Sequence, residues 1–177
     1  MLTGLVQIEP FNKLSKAGRE LLKDSLRWRE YKIGDRIYRQ DEMPSNVSFI
    51  INGEVRLLGK SFKDNSLITL KKIAEGSLVG WAGLLRGEAC ETIQASKNVE
   101  LISIPSEVFV RLILTEDSFK KYLELYPDGY NSLDSMAEFF MFEKNFDEAK
   151  KYYEKVLNVF PFSNSARSSL NDLKNMK

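Results

Sequence analysis

Short apolar segments separated by glycines fill most of the chain between residues 28 and 104. The segments are rich in β-branched and aromatic residues: Asp35–Arg39, Ser48–Ile51, Glu54–Leu58, Leu67–Ile73 and Val99–Ile104. The glycines that punctuate them are Gly34, Gly53, Gly59 and Gly76. Many short strands with glycine turns are typical of an antiparallel sandwich or roll, since parallel strands need long crossover connections. We therefore expect an antiparallel β jelly-roll (double-stranded β-helix) of roughly eight strands over residues 28–104.

Helical periodicity replaces the strand pattern on both sides of this region. Four leucines recur at helical spacing after Pro10, which predicts a helix over 10–27. They are Leu14, Leu21, Leu22 and Leu26. A second helical region is predicted over 106–125, in two amphipathic pieces of which the second begins at Asp117. The predicted fold class is therefore α+β, a jelly-roll with flanking helices.

The sequence changes character again near residue 127. Pro127-Asp128-Gly129 interrupts the helical pattern, and the last 51 residues hold nine of the chain's 20 aromatic residues with no strand signal. Turn residues of this kind commonly separate structural elements. We therefore expect two domains, residues 1–126 and residues 127–177. Residues 128–175 should be helical and form a C-terminal α-helical hairpin.

Composition excludes several classes of function. The chain has no histidine, which excludes Ser-His-Asp triads, Cys-His nucleophiles and histidine-ligated metal sites. Its single cysteine, Cys90, excludes an intrachain disulfide and a thiolate zinc site, and is usual in a reducing compartment. We expect no catalytic residue, no metal site and a cytoplasmic protein.

Charge and hydropathy argue against nucleic acids and membranes as partners. Twenty-six basic residues balance 25 acidic ones. The last 51 residues carry seven basic and eight acidic side chains, and they lack the basic recognition helix that a transcription regulator needs. No apolar run approaches the roughly 18 residues of a spanning helix. We therefore expect neither nucleic acid binding nor membrane insertion.

Three glycine-containing motifs, together with Phe11 and Leu14, make residues 10–125 resemble the cyclic nucleotide-binding domain family. The motifs are Tyr31-Lys32-Ile33-Gly34-Asp35-Arg36-Ile37-Tyr38, Phe49-Ile50-Ile51-Asn52-Gly53-Glu54-Val55 and Gly76-Ser77-Leu78-Val79-Gly80. The first is similar to a strand pair of the family, the second to a hairpin, and the third to the approach to its ligand cassette. The resemblance implies a jelly-roll that binds a cyclic nucleotide or regulates a partner.

The resemblance also implies where the ligand cassette begins, directly after Gly80. In the family, a glutamate after this glycine binds the ribose hydroxyl, and an arginine nine or ten residues later pairs with the cyclic phosphate. Here Trp81 takes the glutamate position, and Cys90 and Glu91 take the two arginine positions. Hydrogen bonds to charged groups contribute about 1.5–3 kcal/mol each. The loss of both anchors should therefore weaken cyclic nucleotide binding by orders of magnitude.

Three interpretations of this degenerate cassette stay open: a structural turn filled by Leu84 and Leu85, a pocket for another ligand, or a retained cyclic nucleotide site. Another ligand would take positive charge from Arg86 or Arg56 and a stacking face from Trp81. The candidate ligand-binding residues are Gly80, Trp81, Ala82, Gly83, Leu84, Arg86, Cys90, Glu91 and Thr92. No cofactor is expected, and a cyclic nucleotide is the alternative.

The segment Val79–Glu91, followed by Ala95-Ser96, also resembles the variant cassette of domains fused to cyanobacterial peptide-exporting ABC transporters. This resemblance implies a domain that regulates such an exporter or docks onto it. The sequence given contains no Gly-rich phosphate loop ending in Gly-Lys-Ser/Thr, so it does not carry a transporter ATPase. An ABC exporter is therefore one candidate partner.

Residues 130–163 resemble one 34-residue tetratricopeptide repeat, a helix–turn–helix unit. The matching residues are Leu133, Met136, Ala137, Phe140, Ala149, Tyr153, Val156 and Pro161. Ser163 is expected to cap a third helix, Ala166–Lys174. Because a single repeat cannot bury its own apolar face, we expect it to pack on the first domain or on a second copy.

The sequence therefore predicts a non-enzymatic regulatory or interaction module. It would dock to a protein partner, or form a homodimer, through apolar side chains of its C-terminal helices. These are Phe109, Leu112, Phe119, Tyr122, Leu125, Phe139, Phe142 and Phe160. The alternatives are a true cyclic nucleotide or other small-anion sensor, and an enzyme of the serine–lysine type. The latter rests on Ser118 and Lys121, which have the spacing of a Ser-x-x-Lys acyl-transfer motif.

Overall fold

The structure, a computed structural model, describes residues 5–61, 63–124 and 130–175. These residues divide into two compact units. The larger contains the residues up to Leu84 together with Glu88–Lys120, and the smaller contains Leu85–Gly87 together with the residues from Lys121 onward. The predicted break at Pro127-Asp128-Gly129 lies outside the described residues, and the domain boundary placed there stays a prediction.

Eight strands of the larger unit form two antiparallel sheets. They are β1 (Arg27–Tyr31), β2 (Arg36–Tyr38), β3 (Asn46–Asn52), β4 (Glu54–Lys60), β5 (Leu67–Ala74), β6 (Leu78–Val79), β7 (Thr92–Ala95) and β8 (Val99–Pro105). The strand orders are β1-β8-β3-β6 and β2-β7-β4-β5. All pairings are antiparallel, which confirms the predicted class of antiparallel sheets with flanking helices.

The core of the larger unit consists of aliphatic side chains contributed by both sheets. Its buried members are Ile50, Val55, Ile73, Val79, Ile93, Ala95, Val99 and Leu101. At the turn between β3 and β4, Gly53 has a φ of 98°, and a Cβ there would lie 2.3 Å from the carbonyl oxygen of Asn98. Glycine is therefore the residue that this tight turn requires.

The N-terminal helix is shorter than the sequence predicts. A 3-10 turn over Phe11–Lys13 is followed by helix α1 over Lys16–Leu22, in place of one helix over 10–27. Ser15 is extended, and its hydroxyl accepts a hydrogen bond from the Gly18 N–H, so it begins a new helix. The predicted C-terminal part of the helix is wrong because Arg27 already begins β1.

Two helices follow β8, α3 (Ser106–Thr115) and α4 (Asp117–Glu124). Glu116 between them is extended and only 6% exposed. Its carboxylate accepts hydrogen bonds from the N–H and the hydroxyl of Ser15, at 3.0 and 2.6 Å. This buried carboxylate joins the start of α1 to the α3–α4 junction.

Three helices form most of the smaller unit: α5 (Tyr130–Phe142), α6 (Phe146–Val159) and α7 (Asn164–Asn175). α5 packs against α6, and α6 packs against α7. The Ser163 hydroxyl accepts a hydrogen bond from the Ala166 N–H at 3.2 Å, which confirms the predicted cap of the third helix. None of the helices in the described part of the chain is long and apolar enough to cross a membrane.

Candidate functional site

The candidate cassette lies between β6 and β7. Gly80 follows β6 with a φ of 82°, and the five-residue helix α2 (Ala82–Arg86) comes two residues later. Gly83 in this helix lies close to the backbone, because a Cβ there would be 2.8 Å from the carbonyl oxygen of Glu88. The Glu88 N–H donates to the Gly83 carbonyl at 3.1 Å, which closes the turn after the helix. The local backbone is thus a tight turn followed by one helical turn.

The Tyr38 side chain packs directly over Gly80. A Cβ on Gly80 would lie 2.5 Å from the Cζ atom of the Tyr38 ring. The Tyr38 hydroxyl forms a 2.7 Å hydrogen bond with the hydroxyl of buried Ser48. Burial raises the pKa of Tyr38 well above its ordinary value, the charges of Tyr31 and Glu91 add to this rise, and the Ser48 hydrogen bond opposes it. Tyr38 is therefore a neutral side chain that fills the space beside Gly80.

Glu91 directs its carboxylate at the start of the cassette helix. Its Oε2 accepts a hydrogen bond from the Ala82 N–H at 3.2 Å. In an anion-binding cassette, backbone N–H groups at this point would face the bound phosphate. Here one of them is occupied by a carboxylate from the same chain.

The remaining volume of this cassette is very small. The cavity beside Tyr38 and Gly80 measures about 10 Å³. It is lined by Tyr38, Arg39, Glu42, Pro44, Gly80, Gly83, Cys90 and Glu91. A single water molecule needs roughly 10–15 Å³ measured in this way, and ligand pockets usually offer about 300–1,000 Å³. The cavity therefore has no room for a nucleotide in this conformation.

Several predicted cassette residues serve as packing groups. Trp81 is 6% exposed and offers no open stacking face. Leu85 is buried and Leu84 half-buried, as the interpretation of a structural turn expects. Buried Thr92 accepts a hydrogen bond from the Gln40 N–H at 3.2 Å, whereas Cys90 is exposed.

The two arginines considered as ligand anchors have partners within the protein. In the smaller unit, the Arg86 Nε donates to the Ser135 hydroxyl at 2.9 Å and lies 3.7 Å from the Glu138 carboxylate. In the larger unit, the Arg56 guanidinium donates to the side-chain oxygen of Gln94 at 2.9 Å. Both side chains therefore have a polar neighbour, although the buried Nε of Arg56 has no hydrogen-bond partner among the described residues.

The serine–lysine alternative lacks an accessible nucleophile. The Ser118 hydroxyl oxygen is buried and has no hydrogen-bond partner among the described residues. A serine nucleophile requires a neighbouring base and access to its substrate. The described residues also contain no group of three or more acidic or cysteine side chains suited to a metal ion.

Most of the apolar side chains predicted to form a docking surface are buried. Phe109, Leu112 and Phe119 are fully buried, Phe139 is 3% exposed, and Tyr122 is half-buried. Leu125 lies outside the described residues. Phe142 and Phe160 are exposed, at 80% and 43%. The buried side chains are not available at the surface of a single copy, and docking through the C-terminal helices stays a prediction.

Sequence reasoning missed Tyr38 as the side chain that closes the cassette. The sequence motif that contains Tyr38 predicts a strand at this position. No spacing rule relates Tyr38 to Gly80, which lies 42 residues later. The partnership between Glu91 and Ala82 was also missed. An acidic residue at an expected arginine position was the signal, but its partner depends on the tertiary fold.

Comparison with protein-family models gives one match. The model of the cyclic nucleotide-binding domain matches residues 28–116, which is half of the chain. A search of curated proteins finds no match.

Solved structures with the same fold include protein kinase A regulatory subunits and a bacterial regulator. The regulatory subunit of a cAMP-independent protein kinase A from Trypanosoma brucei has 21% identity and a TM-score of 0.61, over 72% of this chain and 47% of that chain. Its counterpart from Trypanosoma cruzi, bound to guanosine, has 18% identity and a TM-score of 0.60, over 72% and 45%. The catabolite activator protein of Thermus thermophilus has 23% identity and a TM-score of 0.55, over 79% and 64%. The chain thus spans about half the length of the kinase subunits, and the likeness shows the fold.

Proposed function

The chain belongs to the cyclic nucleotide-binding domain family, and from this we propose that it is a non-enzymatic regulatory module with a degenerate cassette that acts by docking to a protein partner. The observation that carries the proposal is the contact between the Glu91 carboxylate and the Ala82 N–H. A cyclic phosphate would have to replace this carboxylate and then lie beside its negative charge. Like charges in such proximity oppose binding.

The geometry around Gly80 supports the same conclusion. The Tyr38 ring occupies the space beside the glycine, and the remaining cavity is about 10 Å³. Ligand entry would require Tyr38 to leave its hydrogen bond with Ser48. The cassette therefore resists a nucleotide by charge and by volume.

Two of the solved structures of similar fold support a regulatory role without cyclic AMP, whereas others are bound to cyclic AMP. The two trypanosome proteins are regulatory subunits of a cAMP-independent kinase, and one of them is bound to guanosine. We propose by analogy that this chain uses the fold for regulation and not for cyclic nucleotide sensing. A sensor for another small anion is the alternative.

The proposal also covers the arrangement of the two sheets and of helices α5 and α6. We propose that the two sheets form the family's jelly-roll and that α5 and α6 form a tetratricopeptide-like hairpin. Burial of the matching positions supports the hairpin: Leu133, Met136, Ala137, Phe140, Ala149, Tyr153 and Val156. A partner such as an ABC exporter follows from the resemblance of the cassette alone.

Exposed apolar side chains of the smaller unit support docking through its helices. Val159, Phe160 and Phe162 follow one another at the C-terminal end of α6, with exposures of 59%, 43% and 76%. The rings of Phe160 and Phe162 are arranged edge to face, with their centroids 6.4 Å apart. Exposed apolar groups in one cluster commonly mark an interaction surface. We assign docking to this cluster, with a second copy or another protein as the occupant.

Calorimetry with cyclic AMP and cyclic GMP tests the cassette. We expect no saturable heat at millimolar ligand. The triple change Trp81→Glu, Cys90→Arg and Glu91→Gln restores both family anchors and removes the internal carboxylate, and Tyr38→Ala in addition opens the space. Micromolar binding to the unchanged protein would contradict the proposal.

Sedimentation of the full chain tests docking. Phe160→Ser with Phe162→Ser should lower self-association or the capture of a partner. Phe142→Ser is the matched control, since it removes an exposed aromatic at the C-terminal end of α5, outside the cluster. An equal effect of the control and the double variant would contradict the assignment of this cluster.

A further inference from the structure

We propose that the larger unit binds a compact organic anion, a phosphate or carboxylate on a small body, in a polar cavity between β1, β2, β3 and the loop over residues 39–45. The cavity measures about 230 Å³. A water molecule in the liquid takes about 30 Å³, so the space corresponds to about seven or eight waters. It adjoins the cassette cavity, with which it shares Tyr38, Arg39, Glu42 and Pro44, but none of the cassette residues 80–92 line it.

The inner face of one sheet changes from apolar to polar at the level of this cavity. In the register, Ile50 pairs with Leu101 and both belong to the core. The next inward-facing pair along the same two strands is Ser48 and Ser103. On β1, Arg29 pairs with Leu101 and lines the cavity. An aliphatic core would place apolar side chains here, so the polar lining calls for a polar occupant.

Three hydroxyl groups form the floor of the cavity. The Tyr38 and Ser48 hydroxyls form a hydrogen bond of 2.7 Å, and the Ser48 and Ser103 hydroxyls form one of 3.2 Å. Ser48 and Ser103 are 2% and 7% exposed. Three hydroxyls have three donors, and two hydrogen bonds use two of them. Within the described residues, one O–H is therefore left for an acceptor in the cavity.

The rim of the cavity carries an excess of positive charge. Three arginines line it, and Glu42 is the acidic residue of the lining. Asp41 holds Arg39 through two 3.0 Å hydrogen bonds and also interacts electrostatically with Arg36. In the described ranges, the side chains of Arg29 and Arg36 form no hydrogen bond or ion pair, although their backbones lie in paired strands. With Asp41 included, three guanidinium groups face two carboxylates.

The chemistry of these groups selects an oxyanion. Guanidinium groups donate paired hydrogen bonds that match phosphate and carboxylate oxygens. A floor hydroxyl can donate to the same oxygens. The small volume excludes a whole nucleotide and fits a short organic body beside the rings of Tyr31 and Tyr38.

Calorimetry and thermal melting of the full chain at constant ionic strength test the proposal. Glycerol 3-phosphate and malonate are the two anionic probes, and glycerol is the uncharged control. We expect saturable one-site binding and a rise in melting temperature with at least one anion and none with glycerol. The anion that binds more tightly shows whether the site prefers a phosphate or a carboxylate head group. No saturable binding of either anion to the unchanged protein would overturn the proposal.

Variants locate the binding. Arg29→Gln with Arg36→Gln should weaken binding by about tenfold or more, because both guanidinium groups contact the anion. Arg111→Gln is the matched control, as an exposed arginine of the same unit outside the cavity. Ser103→Ala should also weaken binding by removing a floor hydroxyl without changing the charge. Equal affinities in the control and the double variant, or an unchanged affinity in Ser103→Ala, would overturn the assignment to this cavity.

Discussion

Replacing Tyr38 by Phe should change the pH dependence of stability in a way that isolates one hydroxyl group. The change removes the 2.7 Å bond to Ser48 and keeps the ring over Gly80. A hydrogen bond of this kind contributes about 1 kcal/mol, so at neutral pH the variant should be about 1 kcal/mol less stable. For a chain of this size, that corresponds to a melting temperature about 2–4 °C lower.

About one pH unit above 10, the order of the two stabilities should reverse. Burial raises the folded-state pKa of Tyr38 above the ordinary value of 10.0, so the unfolded state loses this proton first. The stabilising contribution of the neutral phenol is complete below pH 10 and falls as the pH rises, by about 1.4 kcal/mol per pH unit. The phenylalanine variant has no such loss, and the two stability curves should cross about one unit above pH 10.

Urea denaturation of both proteins between neutral pH and about pH 12, followed by near-ultraviolet circular dichroism, measures this difference. The other tyrosines, including Tyr153 with its own raised pKa, are common to both proteins and cancel in the difference. Parallel curves across this range would refute the reasoning, because they would mean that Tyr38 ionises equally in the folded and unfolded states.

Three further changes test the frame around the site. Glu116→Gln should destabilise the protein by about 1.5–3 kcal/mol in denaturant melts, because charge-assisted bonds to Ser15 become neutral ones, whereas exposed Glu107→Gln should be near neutral. Gly53→Ala should cost at least about 2 kcal/mol, since its φ of 98° and the nearby Asn98 carbonyl both oppose a side chain, and a wild-type melting temperature would contradict this. Ser163→Ala should lower stability by about 1 kcal/mol through loss of the α7 cap, and helical circular dichroism during thermal melting reads it.

The glycines predicted most turns between the strands because a turn with positive φ is a local property of the backbone that favours glycine. Gly34, Gly53 and Gly76 have positive φ and lie between strands as predicted, whereas Gly59 lies inside β4, paired with Ile68, so its assignment to a turn is wrong. The missed strands, β6 and β7, have two and four residues and show no alternation long enough to detect. The false continuation of the first helix covers residues 23–27, where a turn follows α1 and Arg27 begins β1, although Leu26 keeps the helical spacing of the leucines.

The candidate site was predictable in outline and not in its contacts. Trp81, Cys90 and Glu91 could be placed by counting from Gly80, because the cassette is continuous in sequence. The closeness of Tyr38 to Gly80, and of Arg29 to Arg36, depends on how strands of two different sheets come together. No pattern of composition or periodicity carries that information.

The pairing of β1 with β8 has a consequence for how the chain folds as it is made. Arg27 pairs with Ser103, and Ser15 bonds to Glu116, 101 residues later. At a synthesis rate of roughly 5–20 residues per second, β1 is therefore made several seconds before β8, its neighbour in the described sheet order. The β4–β5 hairpin closes over a much shorter loop and can form first. Until β8 emerges, β1 presents unpaired backbone groups, and the nascent chain depends on chaperones or on speed to avoid intermolecular strand pairing.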